Sequence, residues 1–172
     1  DEKSKQYFLL EVNQTYDFTL SPLISTSSTQ VITILDSWEK QKNQQNKALL
    51  KRLPEEIQKF LEEKVVSFSF SPDESKVLYQ AGSDFQIKEK LLSQEIIGAS
   101  TQKEERTVKK NQWYVYDLKE DKNFLVLGNE ESTKISWFPT SLHLLLIKEG
   151  QVEIEDYDGK MRTTVYAGPF DN

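Results

Sequence analysis

The sequence predicts a mainly β protein built from antiparallel four-stranded units, with one short α-helix. Three observations predict this fold class. One strand–turn–strand pattern occurs twice in the chain, a second such pattern follows each occurrence, and the composition supplies apolar side chains for a core. Of the 172 residues, 37% are hydrophobic and 11% aromatic, which is sufficient for one domain with a real core.

The first pattern runs over residues 65–79 as VVSFSFSPDESKVLY and returns over residues 133–146 as TKISWFPTSLHLLL. Phe68 and Phe70 alternate with serines at the period of two that is typical of a half-buried strand. Pro72 ends this strand, and a new apolar run from Val77 can pair back on it as a hairpin. The chain therefore contains an internal repeat. A constant offset of 67 residues superposes Phe68 on Ile135, Phe70 on Trp137, Pro72 on Pro139 and Leu78 on Leu145.

A second pair of matched segments follows at a different offset. Residues 113–127 (WYVYDLKEDKNFLVL) align with residues 151–166 (QVEIEDYDGKMRTTVY) at an offset of 39. The difference, 67 minus 39, leaves 28 additional residues in the first repeat, inserted between its second and third strands. Without the insertion, a repeat has four short strands in about 35 residues, close to the size of a propeller blade. The alignment places Val115 on Ile154, Asp117 on Asp156 and Val126 on Val165.

These motifs resemble the TolB-type, WD-like β-propeller repeat, in which a Ser-Pro-Asp-Gly turn precedes one strand and a later strand ends in an Asp-Gly turn. The runs FSFSPDESKVLYQ and WYVYDLKEDK, then ISWFPTSLHLLL and VEIEDYDGK, carry the resemblance, which extends from Val65 to about Phe170. Glu74 replaces the turn glycine, and Pro-Thr-Ser at residues 139–141 replaces Pro-Asp-Gly. The resemblance implies two propeller-like blades plus a partial third, protein partners, and an extracytoplasmic location in a bacterial cell envelope.

Four segments follow from these patterns. Residues 1–38 are N-terminal strands, either a truncated blade or a simple strand pair, with strands at 7–12, 16–20 and 31–35 and a polar loop at 25–30. Residues 39–64 are a polar linker, too polar to bury from 39 to 47, followed by a helix. Residues 65–130 form a blade with a long insertion at 82–112, and residues 131–172 form the second blade.

The helix is predicted to begin at Pro54, a residue that is favourable in the first helical turn. Acidic residues in the first turn and Lys64 in the last suit the helix dipole. Ile57, Phe60 and Leu61 fall on one face, so the helix is expected to pack on a blade edge or face, with docking of a partner as the alternative. In that packing it can cover an otherwise unpaired sheet edge.

The insertion is the most individual part of the sequence. Residues 100–110 (STQKEERTVKK) are polar and aperiodic, and we expect them to be disordered or loosely packed. The preceding apolar residues can form a short amphipathic helix or lie over the blade. If the protein recognises a partner through a unique feature, this loop is the expected one. These apolar residues are Ile87, Leu91, Leu92, Ile96 and Ile97.

Charge and composition exclude several classes of function. The net charge is −6 and the pI is near 5.0, which argues against nucleic acid as a partner because phosphate binding requires a basic face. No apolar run approaches the length of a membrane span. The chain has no Cys, so disulfides, thiolate metal sites and Cys nucleophiles are excluded.

No catalytic, cofactor-binding or metal-binding residue is predicted. His143, the only histidine, lies in an apolar strand at the position of Lys76 and is expected to face the surface. No G-x-S-x-G motif is present, whereas glycosidase-type carboxylate pairs stay open because the chain has 28 acidic residues. Residues 156–159 (DYDG) are interpreted as a turn with Gly159 at positive φ rather than as a calcium loop. Sugar stacking on aromatic side chains is an alternative function for this part of the chain, although Trp137 is expected in the core. The aromatic residues are Trp113, Tyr114, Tyr116, Trp137 and Phe138.

The sequence thus predicts a non-enzymatic propeller module that binds or scaffolds proteins. Two blades cannot close a ring, which takes four to eight. The segment is therefore expected to belong to a larger chain or to cover its open faces by association, and no cofactor is expected. Two alternatives stay open: the substrate-filtering propeller of a prolyl-oligopeptidase-like hydrolase, and a polysaccharide-binding surface.

Overall fold

The computed structural model describes residues 7–9, 24–88, 100–129 and 133–169. Within these residues the protein is mainly β, with antiparallel sheets and two α-helices. The predicted mainly β, antiparallel class is confirmed at this level, whereas the prediction of one helix is wrong. The chain divides into two compact units, Asp1–Ala48 and Leu49–Asn172, which are described separately.

The first unit contains an antiparallel strand pair and most of a long helix. β1 (Tyr7–Leu9) pairs with β2 (Ile24–Thr26), and α1 (Ser28–Leu50) follows. α1 corrects three predictions, since part of the polar loop at 25–30, the strand at 31–35 and the linker stretch at 39–47 are helical. Residues 39–47 are exposed apart from the partly buried Asn46, as their polarity predicts. The predicted strand at residues 16–20 lies outside the described residues.

Capping and side-chain pairing explain why α1 is a helix despite the strand-like run VITIL. The backbone N–H of Gln30 donates to Ser27 Oγ at 3.3 Å, and Gln30 Oε1 accepts from the backbone N–H of Ser27 at 3.0 Å. This reciprocal bonding is a capping box that fixes the helix start. Farther along, Lys40 pairs with Asp36 at 2.7 Å, and the Glu, Lys and Gln residues of the supposed linker are good helix formers.

After the last two residues of α1, the second unit contains α2 (Glu55–Glu63), which has Pro54 at its N-cap and two glutamates in its first turn. The predicted helix is confirmed, but Pro54 lies at the N-cap rather than at the first helical position, and Lys64 is the C-cap rather than a residue of the last turn. Six strands follow: β3 (Val65–Phe70), β4 (Lys76–Ala81), β5 (Phe85–Gln86), β6 (Thr107–Val108), β7 (Trp113–Asp117) and β8 (Lys122–Leu127). Four of them form an antiparallel sheet in the order β3–β4–β7–β8, which we call the first sheet. β5 and β6 pair with each other inside the insertion.

The second antiparallel sheet consists of β9 (Lys134–Trp137), β10 (His143–Lys148), β11 (Gln151–Asp156) and β12 (Thr163–Ala167). Its order is β9–β10–β11–β12. Each sheet is therefore a meander of four strands, and β4 maps onto β10 at the offset of 67 along its whole length. The two repeats read from the sequence form two sheets of the same topology.

The first turn of each sheet has the same hydrogen bonds. The backbone N–H of Ser71 donates to the carbonyl of Lys76, and that of Phe138, 67 residues later, donates to the carbonyl of His143, both at 2.9 Å. Glu74 and Ser141, also 67 residues apart, both have positive φ, at 59° and 62°. Both residues therefore adopt the left-handed conformation that the glycine of the motif would favour, and a side chain in this region carries a strain of about 1–2 kcal/mol.

One buried core lies between the first sheet and α2. Ile57 and Leu61 of the helix are buried, and the Phe60 ring lies 5.7 Å from the ring of Tyr79. Full burial of one such apolar side chain stabilises the fold by about 1.5–3 kcal/mol. The helix thus packs on a sheet face, as its apolar stripe predicts. The fully buried residues on that sheet face are Val77, Tyr79, Ala81, Tyr114 and Tyr116.

A second buried core joins the two sheets. It contains Leu78, Val115 and Val126 from the first sheet and Leu144 and Leu146 from the second. Alternation along each strand places these residues on the face opposite α2 in the first sheet, and on one face of β10 in the second. The first sheet is therefore covered on both faces.

The described parts of the insertion are packed against the first core. Val108 is fully buried and Ile87 nearly so, because β5 and β6 lie on that core. Arg106 pairs with Asp121 at 3.5 Å, and the backbone N–H of Glu105 donates to the Asn123 carbonyl at 2.7 Å. The expectation that residues 100–110 are disordered or loosely packed is wrong. Leu91, Leu92, Ile96 and Ile97 lie outside the described residues.

Candidate interaction surface

Each sheet has two faces with different roles. We call face A the face of the first sheet that packs onto the second sheet; its apolar centre is Leu78, Val115 and Val126. We call face B the opposite face. The faces of the second sheet take the names of the corresponding faces of the first sheet at the offsets given above. Face B of the second sheet contains Leu144 and Leu146 and packs onto face A of the first sheet. The contact is therefore between unlike faces, a head-to-tail arrangement.

In the part of the chain that the structure describes, face A of the second sheet is only partly buried. By the two offsets, Leu78 corresponds to Leu145 and Val115 to Ile154, and these two residues are paired across β10 and β11. Leu78 and Val115 are buried, whereas Leu145 and Ile154 are only partly buried and belong to neither core. We call this surface the open face; it consists of Leu145, Ile147, Val152, Ile154 and Tyr166.

A basic–acidic pair recurs on both A faces. Lys76 lies opposite Asp117 in the first sheet, with Nζ 3.8 Å from Oδ2, and His143 lies opposite Asp156 in the second, with Nε2 3.4 Å from Oδ1. The Lys76 and Asp117 side chains are 7% and 4% exposed, whereas those of His143 and Asp156 are 37% and 34% exposed. The same pair is thus covered in one repeat and uncovered in the other.

The second sheet supplies the cover for the buried pair. Lys76 Nζ lies 4.6 Å from the centroid of the Tyr157 ring, within cation–π distance. Burial raises the pKa of Tyr157 well above its usual value, and the nearby carboxylates of Glu120 and Asp117 raise it further. The phenol is therefore neutral over the physiological pH range.

Polar bonds also cross between the sheets. Trp137 Nε1 donates to the carbonyl of Ser69 at 3.0 Å, and the Arg162 guanidinium donates to the Val126 carbonyl at 2.9 Å and pairs with Glu155. These contacts fix the register of one sheet on the other. Trp137 packs against the core between the sheets, as expected, but it is only partly buried.

The turn after β3 contributes a further bond across the sheets. The backbone N–H of Asp73 donates to Ser141 Oγ at 3.0 Å. Partial burial alone would raise the pKa of Asp73, but hydrogen bonds from Ser71 Oγ and from Ser75 lower it well below its usual value. Asp73 is therefore ionised and holds the turn in a fixed shape.

The DYDG segment is a turn, as predicted. Gly159 has φ +81°, and a Cβ at this position would lie 2.6 Å from the Leu125 carbonyl oxygen of the first sheet. Asp158 is buried and accepts a hydrogen bond from Ser100 Oγ at 2.8 Å, so the carboxylate is engaged by the insertion. Among the described residues, no group of three or more His, Asp or Glu side chains is placed to hold a metal ion.

The structure limits the aromatic residues that could stack on a sugar. Tyr114 and Tyr116 are fully buried under α2. Burial raises the pKa of Tyr116, as does the hydrogen bond that its hydroxyl donates to Asp121. Trp113 and Phe138 are partly buried, with Trp113 against the core between the sheets. Of the five aromatic residues named from the sequence, only Trp113, Phe138 and Trp137 keep any exposed area.

A cleft of about 560 Å³ lies between α2 and β5. Phe60 and Phe85 form its apolar floor, and Lys88 pairs with Glu56 across it at 3.5 Å. Its remaining charged groups are of both signs, so the cleft has no net preference for an ion. The cleft lies next to the apolar stripe of α2. Two roles are predicted for that stripe from its sequence, packing on a sheet and docking of a partner.

The buried Lys76–Asp117 pair was missed by the sequence interpretation, which used Lys76 only as the aligned counterpart of His143, the residue expected to face the surface. The two offsets already indicated that a basic–acidic pair is repeated, since Lys76 aligns with His143 and Asp117 with Asp156. Only the packing of the second sheet shows that the first pair is buried. His143 itself is partly exposed on its strand, as expected.

In the part of the chain that the structure describes, no helix is both long and apolar enough to cross a membrane. The resemblance to TolB-type repeats rests on the sequence motifs quoted above. Comparison of this chain with protein-family models, with curated proteins and with solved structures finds no match.

Proposed function

We propose that this protein is a non-enzymatic module that binds or scaffolds other proteins, and that its two repeated sheets are propeller-type blades within a larger chain. One observation carries the proposal: face A of the first sheet is used to bind face B of the second, and among the described residues the second sheet repeats face A in a partly exposed form that belongs to neither core. A surface already used once for association is repeated on the outside of the module. Extended apolar patches that lie on a surface commonly mark interaction sites.

The sheet faces themselves supply specificity. Apolar side chains at the centre of face A are joined by a basic–acidic pair at its edge, which is the arrangement of an apolar core with a polar rim. The proposed location outside the cytoplasm rests on the resemblance to TolB-type repeats alone. A fold of this kind does not define a partner, so the test must be made at the open face.

The experiment compares three forms of the chain: the natural protein, Leu145→Asp on the open face and Glu149→Gln in the adjacent exposed turn. Proteins retained by the natural form are identified, purified and titrated against all three. We expect Leu145→Asp to weaken a true partner by tenfold or more, about 1.4 kcal/mol, and Glu149→Gln to have no effect. A purified partner that binds Leu145→Asp as tightly as the natural protein contradicts this use of the open face.

Two further measurements address the alternatives. A glycan array probed with the natural chain and with Trp113→Ala tests a polysaccharide surface, because Trp113 keeps part of its ring exposed. The coding sequence on either side of these residues tests the peptidase alternative. A G-x-S-x-G elbow in an adjacent α/β domain would favour the peptidase, and further repeats would favour the scaffold.

A further inference from the structure

We propose that the open face binds one further four-stranded sheet of this same repeat, presented through its face B, and that α2 closes the opposite end of the stack. This inference rests on the proposed function and specifies its partner. The stack of sheets then has α2 at one end and, at the other end, an open face that accepts a further sheet.

The first sheet shows how a face A is covered. A four-stranded sheet lies on it, buries Leu78 and Val115, and places an aromatic ring over the Lys76–Asp117 pair. Face A of the second sheet has corresponding groups in corresponding places, namely Leu145, Ile154 and the His143–Asp156 pair. The groups that bind a sheet in the first repeat are therefore repeated in the second.

The hydrogen-bond acceptor between the sheets is also repeated on the open face. Ser69, whose carbonyl accepts the Trp137 indole N–H, corresponds at the offset of 67 to Ser136 on β9. Ser69 lies opposite Leu78, and Ser136 lies opposite Leu145. A sheet placed on the open face as the second sheet is placed on the first would bring its own tryptophan to Ser136. Apolar centre, charged pair and backbone acceptor thus have the same relative positions on both A faces.

A second molecule of this chain cannot supply that sheet through face B. Face B of the first sheet is covered by α2, where Ile57 is fully buried and Phe60 stacks near Tyr79 and Tyr116. Face B of the second sheet is covered by the first sheet of the same molecule. The occupant is therefore an additional sheet of the repeat, and self-association through two open faces is the competing outcome.

The test uses thiol labelling, because the natural chain has no Cys and a single introduced cysteine gives an unambiguous signal. Ile154→Cys reports on the open face, and Glu149→Cys, in the exposed turn, is the control. The probe is a further copy of residues 133–172 joined after Asn172 of the full chain. This design leaves six residues between Ala167 and the added Lys134, the same number that separates Leu127 from Lys134.

We expect the appended sheet to slow maleimide labelling of the cysteine at 154 by about tenfold or more, because a covered thiol reacts only on local opening. Labelling of the cysteine at 149 should not change. Adding Leu145→Asp to the extended chain should restore fast labelling. Circular dichroism of each variant shows whether the natural sheets are retained.

Unchanged labelling at 154 overturns the inference, since the same segment folds on face A of the first sheet in the natural chain. Protection at 154 in the Ile154→Cys variant without the added sheet, if it increases with the concentration of that variant, also overturns the inference, because the open face would then bind a second molecule. Protection by the appended sheet, with no protein partner sensitive to Leu145→Asp, would support the inference while contradicting the proposed function.

Discussion

Trp137 donates its indole N–H to the backbone carbonyl of Ser69 across the two sheets, at 3.0 Å. The two residues belong to successive repeats, and each lies on the first strand of its sheet. This bond couples the position of one repeat to the backbone of the other. It explains why a tryptophan stands where the first repeat has Phe70, which has no N–H to donate.

Trp137→Phe should therefore destabilise the second unit by about 1–3 kcal/mol, through the lost hydrogen bond and the lost ring volume. Trp113→Phe is the control, because it removes the same ring atoms at the edge of the same core without breaking this bond. Urea unfolding followed by circular dichroism measures both. Equal losses in the two variants would show that the Trp137–Ser69 bond contributes nothing to stability.

Asp117→Asn and Asp156→Asn form a matched pair, since the two aspartates occupy the same place in the two repeats. Asp117→Asn leaves the buried Lys76 ammonium without its counter-charge and should destabilise the protein by about 2–4 kcal/mol. Asp156→Asn acts on a partly exposed pair and should cost less than about 1 kcal/mol. Chemical denaturation of both variants checks the difference. Similar losses would contradict the difference in burial between the two pairs.

Asp73→Asn should change how stability depends on pH. The pKa of Asp73 is lower in the folded state than its ordinary value of 3.8. Its contribution to stability is therefore present above that value and is lost as the pH falls through the folded-state pKa. The difference in unfolding free energy between the natural protein and Asp73→Asn should be largest near neutral pH and should shrink in acid below about pH 4. Glu149→Gln is the control, and a difference that is constant with pH would argue against the hydrogen-bonded carboxylate.

Gly159→Ala should be strongly destabilising, by about 2–4 kcal/mol, because an added Cβ meets the Leu125 carbonyl and the backbone has positive φ. Gly128→Ala is the matched control, since a Cβ there has no neighbour within 4 Å. It should change stability by no more than about 0.5 kcal/mol. Thermal unfolding of both variants measures the contrast. A tolerated alanine at 159 would mean that the turn is not held against the first sheet.

Local pattern determined most of the strands. Alternation of apolar and polar residues gave the hairpins, and the two offsets gave the repeat and the position of the insertion. Pattern failed for α1, because the β-branched run VITIL favours a strand locally, whereas the capping box at Ser27 and Gln30 and the helix-forming residues after it favour the helix. Spacing alone does not weigh these opposing preferences.

By itself the sequence determined that one four-stranded unit occurs twice and that α2 has an apolar stripe, since both follow from the periods of strand and helix. Only the tertiary structure decided which face each unit uses. Alternation says that two faces differ, but not which of them meets a helix, which meets a sheet and which stays open. For that reason Lys76 and His143 are equivalent in sequence, yet one is buried by the next sheet and the other is not.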